Sequence, residues 1–233
     1  MKKAIEELLP LERDLFFALN GSDSVILDNI MWTLSGRFVW IPLFLFIIFI
    51  LFYRTPPKVG ILVTIFLILV FVASDQVSSS LFKPLFERFR PSHHPDFMDN
   101  VDIINGYRGG RFGFISGHAT NSFGLAVFLS LIFKYRWFTL ISLFWATLNS
   151  YTRIYLGVHF ISDIIGGIII GTLLAFILYF ALLVVKRYVL KSTNYINEQP
   201  IYRSDNGMIL SIFIMIYIVL LTCFSSLLST LPH

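Results

Sequence analysis

Residues 59–82 read VGILVTIFLILVFVASDQVSSSLF, twenty-four positions with one charged side chain, Asp75. About 20 apolar residues of helix cross the roughly 30 Å hydrocarbon core of a bilayer, so this stretch predicts a membrane span. A strand is excluded because polar and apolar residues do not alternate, and lipid offers no partner for unpaired backbone. Five further stretches share its character. Phe38–Tyr53, Ala119–Phe133, Trp137–Tyr151 and Met208–Pro232 carry no Asp, Glu, Lys or Arg, and Phe160–Val185 carries only Asp163. The expected fold is therefore all-α, a polytopic membrane bundle of about six spans.

The composition agrees. Of 233 residues, 56% are hydrophobic, 17% aromatic and 14% charged, with a mean hydropathy of +0.77. A soluble domain carries about 25% charged residues, and a soluble globule could not hide 25 Phe and 10 Tyr without large exposed apolar patches. Disorder and disulfide-stapled secreted scaffolds are excluded. The one cysteine, Cys223, leaves no disulfide within the chain and no Cys-based metal site. The net charge of +4 comes from 18 Lys and Arg spread over short loops. That is usual beside a bilayer and predicts no nucleic-acid partner.

Residues 1–37 differ. Glu6, Glu7, Glu12, Arg13 and Asp14 alternate with Leu8, Leu9, Leu11, Leu15, Phe16 and Phe17, which predicts an N-terminal amphipathic helix at the interface. Met1-Lys2-Lys3 is followed by no long apolar core, so no signal peptide is expected. With no internal repeat, residues 1–233 read as one membrane-embedded domain, closed by a C-terminal span over 208–232. Six crossings would put both termini, the 83–113 loop and the turn near Arg153 on one face. That face has ten basic residues: Lys2, Lys3, Arg13, Arg37, Lys83, Arg88, Arg90, Arg108, Arg111 and Arg153. The other has eight: Arg54, Lys58, Lys134, Arg136, Lys186, Arg187, Lys191 and Arg203. Setting aside three of the ten as a functional site leaves seven against eight, which favours termini outside.

Three clusters lie at membrane edges on the first face. Lys83 and Arg90 are seven apart, two helical turns, so both cations are expected to project from one side of a helix that Pro91 stops; Pro84 is tolerable in a first helical turn. Ser116-Gly117-His118 opens the third span, offering a hydroxyl and backbone N–H groups to an anion at a helix N-terminus and an imidazole able to move a proton. In the third cluster, Arg153 precedes His159 and Asp163, an i,i+4 pair expected on one helix face, where the carboxylate can hold one ring nitrogen and free the other. An intramembrane Asp is itself a functional signal. Three cations, an anion nest, two histidines and a histidine-orienting carboxylate are what phosphoryl transfer needs, because its catalysis is mainly positioning and electrostatics. No Asp, Glu or Cys cluster offers a Mg²⁺ or Zn²⁺ cage, so no cofactor is expected, and Lys83, Arg90 and Arg153 would replace a metal.

These clusters resemble the signature of the type 2 phosphatidic acid phosphatases, integral-membrane lipid phosphatases related to vanadium haloperoxidases: Lys-x6-Arg-Pro, then Pro-Ser-Gly-His, then Ser-Arg-x5-His-x3-Asp. The chain shows Lys83…Arg90-Pro91, Ser116-Gly117-His118 and Arg153…His159…Asp163, with core motifs across 75–175 and with Ile115 and Thr152 departing from the pattern. The resemblance implies that His159 is a nucleophile forming a phosphohistidine, oriented by Asp163. It implies that His118 is the acid toward the leaving oxygen, and that Lys83, Arg90, Ser116, Gly117 and Arg153 hold the phosphate, with no metal. It further implies a lipid phosphate substrate and a bacterial cytoplasmic membrane with the site facing the periplasm or exterior; no obligatory protein partner is inferred. Undecaprenyl diphosphate or lipid A is favoured, because the basic loop with Arg108 and Arg111 suits a multiply charged head group. Phosphatidylglycerol phosphate, phosphatidic acid and lipid-to-lipid phosphate transfer are alternatives. A proton-coupled transporter would call for a second polar cluster across the membrane and matched broken helices, neither of which is seen. His93 and His94 are read as solvent-side, Asp75 as facing the bundle interior with a cation, and Gly166, Gly167 and Gly171 as permitting close helix packing.

Overall fold

The computed structural model describes residues 5–189 and 201–230. Lys2, Lys3, Lys191 and Pro232 lie outside the described residues, as do both chain termini. All six apolar stretches are helical. In chain order the helices are α1 (Leu9–Leu19), α2 (Val25–Ser35), α3 (Ile41–Phe52), α4 (Pro57–Phe86), α5 (Gly117–Phe133), α6 (Arg136–Tyr155), α7 (Ile161–Val189), α8 (Ser204–Cys223) and the short α9 (Ser225–Leu228). Among the described residues the only β-type pairing is one bridge, Phe89 to Phe112.

The six expected spans are not all met on length and apolarity. Pro57–Phe86, Ile161–Tyr188 and Ser204–Cys223 qualify, and α2 with Phe38–Phe52 makes a fourth if that pair, bent by 70°, is one crossing. α5 is apolar but has 17 residues. α6 has 20, but its second half carries Asn149, Ser150, Thr152 and Arg153 on buried positions. Both helices give up apolar length at the end that forms the functional site.

α5 is the centre of the bundle, packed against α4, α6 and α7. In lipid, helices are held by close packing rather than by a hydrophobic drive between them, so small residues matter at the crossings. A methyl on Gly167 of α7 would stand 2.8 Å from the Ser116 carbonyl, and one on Gly171 would overlap the Thr120 carbonyl. Gly166 faces Ile115 in the same way. The glycines following Asp163 thus bring α7 against the start of α5, as expected.

The single interfacial helix expected over 1–37 is two helices, each docked. Phe16 of α1 is fully buried, its ring 5.3 Å from Phe160 and 6.2 Å from Phe97 between centroids. Leu11 and Leu15 face outward at 82% and 54% exposure, the apolar stripe that suits an interfacial helix. α2 is pinned to the chain's far end. Trp32 donates to the Ser229 carbonyl at 3.1 Å, and the Thr33 hydroxyl donates to the Ser225 carbonyl at 3.2 Å.

α4 does not stop before Pro84. It continues through a wider π-helical turn, Val77–Phe82, so that Pro84 falls near its C-terminal end rather than in a first turn. The missing proline N–H and its clash with the preceding turn are absorbed where the turn is already loosened. Glu87 then takes a left-handed conformation (φ 46°) and ends the helix.

Candidate active site

A cavity of about 320 Å³ opens where α4, α5 and α6 meet the loops preceding α5 and α7. Its volume lies at the small end of ligand pockets. Lys83, Arg90, Gly117, His118, Arg153 and His159 line it, so the three clusters converge on one space. Ser116 and Asp163 are fully buried behind that wall. The Ser116 hydroxyl caps α5 by accepting from the Ala119 N–H at 3.4 Å, and its own N–H donates to the Asp163 carbonyl at 3.0 Å. Thr152 uses its hydroxyl within α6, donating to the Asn149 carbonyl at 2.7 Å.

Two local geometries differ from the sequence expectation. Lys83 and Arg90 do not share a helix face. The chain leaves the helix at Glu87, and Arg90, extended because Pro91 follows it (ψ 156°), returns to the cavity from a loop. His159 is not on a helix face either: it sits in the turn before α7, and Asp163, in the first turn, reaches back to it. The Asp163 Oδ2 accepts from the Phe160 N–H at 3.0 Å, as a helix-capping carboxylate does, and lies 3.2 Å from His159 Nδ1.

The state of the His159 ring follows from its two neighbours. Arg90 Nη1 lies 3.2 Å from His159 Nε2, and a guanidinium has only N–H groups to offer. Nε2 must therefore accept, and Nδ1 must carry the proton that it donates to Asp163. Burial first, then Arg90 and Arg153, hold His159 well below the ordinary histidine range, so the ring is neutral near pH 7 with its Nε2 lone pair toward Arg90. Arg90 is also brought down to about 10 by burial and by Arg153, and remains charged. Its other donors reach the Phe112 and Val158 carbonyls, each at 3.2 Å.

Arg153 is almost completely buried, bonded to the Ser35 hydroxyl and, at 3.1 Å, to the Tyr107 hydroxyl. Burial pushes the Tyr107 phenol up, but Arg153 outweighs this and leaves it below its usual value. Lys83 and Arg37 line the cavity without a hydrogen bond or ion pair among the described residues. Four cations thus face one wall carboxylate, Asp75. Asp75 forms no direct ion pair among the described residues; it borders the cavity rather than the bundle interior, near enough to Lys83 for the two charges to act on each other. Such an excess of fixed positive charge in a cleft favours an anionic ligand.

Several residues lie elsewhere than expected. Arg108 and Arg111 are not on the cavity wall. Arg108 donates to the Ser92 carbonyl at 2.8 Å, and Arg111 stacks over the Phe89 and Phe112 rings at 5.0 and 5.5 Å. The loop instead approaches through its backbone: a methyl on Gly113 would stand 2.8 Å from Asp163 Oδ2, and one on Gly109 would stand 2.9 Å from Arg90 Nη1. His94 is not solvent-side. It is buried against Phe97 and Phe160 and lies 3.1 Å from Glu6 Oε2. The largest omission is Arg88, fully buried, which donates to Asp163 Oδ1 at 2.8 Å and to Glu12 Oε1 at 2.5 Å. The signal was available: Pro91 makes Arg90 extended, and two-residue spacing in extended chain is not helix spacing.

The PAP2 superfamily matches residues 59–188. A "Lipid A 4'-phosphatase" of Porphyromonas gingivalis is 38% identical over 95% of this chain and 94% of its own length. Another of that name from Bacteroides thetaiotaomicron is 40% identical over 76% and 79%. An "Undecaprenyl-diphosphatase" of Sulfolobus acidocaldarius is 27% identical over 74% and 79%. No solved structure matches. The chain belongs to the PAP2 superfamily. Its class is that of an integral-membrane phosphatase, a phosphoric ester hydrolase acting on lipid phosphates.

Proposed function

We propose that the chain removes the 4'-phosphate of lipid A through a phosphohistidine on His159. The observation that carries the chemistry is the His159 ring held from both sides, Nδ1 at 3.2 Å from Asp163 and Nε2 at 3.2 Å from Arg90. That arrangement presents a lone pair beside a group able to grip a phosphate oxygen. Lys83, Arg90, Arg153 and the N-terminal backbone at Gly117 neutralise the phosphate oxygens, with Ser116 fixing that helix end. Nε2 attacks phosphorus; the N–P bond forms as the P–O bond breaks, and the departing oxygen takes a proton from His118. A water then attacks the phosphohistidine, giving a proton back to His118, and inorganic phosphate leaves as the P–N bond breaks.

The substrate reading rests on the two lipid A 4'-phosphatases and on the cation excess, in which Arg37 can meet a second anionic group. A diphosphate head fits the same excess, and the undecaprenyl-diphosphatase relative favours that second reading. The membrane is proposed to be the bacterial cytoplasmic one with the cavity on its outer face, following the seven-against-eight charge balance; a reporter fused after His233 is expected to read as external.

The test is phosphate release in detergent, with chelator present, from lipid A, undecaprenyl diphosphate and phosphatidic acid. Wild type turns over lipid A fastest and His159→Ala loses nearly all activity. Full turnover by His159→Ala overturns the nucleophile; activity lost to chelator and restored by Mg²⁺ overturns the metal-free chemistry.

A further inference from the structure

The mechanism leaves one buried set of charges unused. Arg88 has no exposed surface, and its guanidinium joins three segments. Nη1 donates to Asp163 Oδ1 at 2.8 Å and to the Ser162 hydroxyl at 2.5 Å, while Nη2 donates to Glu12 Oε1 at 2.5 Å. Glu12 in turn accepts from the Ser162 N–H at 2.8 Å through Oε2 and from the Ser162 hydroxyl at 2.8 Å through Oε1. The guanidinium also lies 4.5 Å over the Phe160 ring, beside the nucleophile candidate. Burying two carboxylates and an arginine costs desolvation that a merely structural contact could avoid with apolar residues of the same shape. Here every carboxylate oxygen of Asp163 and Glu12 has a named donor.

We infer that Glu12, reaching from the N-terminal helix, is a positioning residue of the phosphatase reaction, acting through Arg88 and Ser162 on the Asp163 carboxylate that orients His159. Glu12 touches no reacting atom. It fixes the Arg88 plane, and Arg88 holds Oδ1 of Asp163 so that Oδ2 stays on His159 Nδ1. It also offsets the Arg88 charge, which would otherwise oppose the positive charge His159 gains as its nitrogen bonds to phosphorus. α1 is thereby part of the active site at one remove. The inference rests on the His159–Asp163 reading proposed above.

The experiment compares Glu12→Gln, Ser162→Ala and Phe138→Leu in the full chain, purified in detergent, with kcat, KM and melting temperature measured on lipid A. Phe138, fully buried against Phe133, lies outside this junction, so Phe138→Leu loosens the bundle while leaving α1 and its carboxylate in place. Glu12→Gln is expected to lower kcat about tenfold, the low end of the loss when a partner orienting a metal-bound histidine is removed, with KM within about twofold. Phe138→Leu lowers the melting temperature with kcat near wild type. Ser162→Ala removes one hydroxyl and no charge, gives the same split at smaller size, and decides the matter if Glu12→Gln does not fold.

The pH profile supplies a second readout. His159 is faced by Asp163 from α7, Arg88 and Arg90 from the loop after α4, Lys83 from α4, Arg153 from α6 and His118 from α5. Removing the Glu12 charge leaves this set more positive, so the acid limb of kcat/KM moves to lower pH. The inference is overturned if the Glu12 and Ser162 variants keep wild-type kcat, or if kcat falls only in proportion to stability and Phe138→Leu falls equally. His159→Ala separates the two proposals: if it stays active the nucleophile reading has failed, whereas an inactive His159→Ala beside an unaffected Glu12→Gln sinks this inference alone.

Discussion

Replacing Asp163 by Asn keeps shape and volume and removes one charge, which makes it the sharpest probe of the site. Both carboxylate oxygens are engaged, Oδ1 by Arg88 at 2.8 Å and Oδ2 by His159 Nδ1 at 3.2 Å and Phe160 N–H at 3.0 Å. An amide can satisfy only one side. With its oxygen toward Arg88, the NH2 group confronts the Phe160 N–H and turns His159 to the tautomer whose Nε2 carries the proton and cannot attack. With its oxygen toward His159, the NH2 group confronts a guanidinium. Either way the cation forming on the ring at phosphoryl transfer loses a carboxylate 3.2 Å away. At an effective dielectric near 20 that attraction is about 5 kcal/mol, and each 1.4 kcal/mol or so of barrier is tenfold in rate. The expected loss in kcat is therefore on the order of 10³-fold or more, as for the analogous change in a serine protease. The assay is steady-state phosphate release from lipid A in detergent, beside a melting curve to show the variant is folded. A folded Asp163→Asn enzyme within threefold of wild type would refute both the tautomer argument and the role of the pair.

Three further outcomes follow from the same geometry. His118→Ala should cost about 10²–10⁴-fold in kcat/KM on lipid A, the range for losing a general acid, but far less in kcat/KM on an aryl phosphate, because that ratio reads the steps up to the phosphohistidine and an aryl leaving oxygen needs no proton; equal losses on both would remove His118 from the acid role. His159 titrates well below the ordinary histidine value, because of burial and the neighbouring Arg90 and Arg153, so below about pH 6.5 the unfolded chain binds a proton that the folded one refuses. Stability should fall with pH there, by up to about 1.4 kcal/mol per unit for this group; a melting temperature flat from pH 7 to 5.5, or a slope unchanged in His159→Ala, would contradict this. Gly171→Ala must push α7 off the Thr120 carbonyl and should cost about 1–3 kcal/mol, whereas Gly110→Ala, with open space around it, should melt as wild type does.

The apolar stretches were legible because a bilayer admits almost nothing but helix, and the convergent clusters because phosphate chemistry needs a distinctive set of groups. What the one-dimensional pattern could not carry was how each group arrives. Lys83 and Arg90 fit a two-turn helical spacing, yet the helix ends at Glu87, so the spacing was right for the wrong reason. Arg108 and Arg111 looked like the cations of a head-group site, but aromatic rings and a carbonyl hold them off the wall, while Arg37 and Tyr107 from unremarkable turns line it. Glu12 read as one charge in an amphipathic pattern because its partners are 76 and 150 positions away, and no local periodicity reports a contact at that separation. His94 was misplaced for a similar reason: its cover is Glu6 and Phe160, from opposite parts of the chain.

The Glu12–Arg88–Ser162 junction also bears on biosynthesis. A ribosome delivers these groups in order, the carboxylate first, the guanidinium 76 residues later and the serine after 150. A nascent chain that holds only α4 and α5 has Lys83, Arg90 and His118 but neither His159 nor Asp163. On the roles proposed above, turnover then waits until residues 159–163 have been made and have met Glu12 of α1.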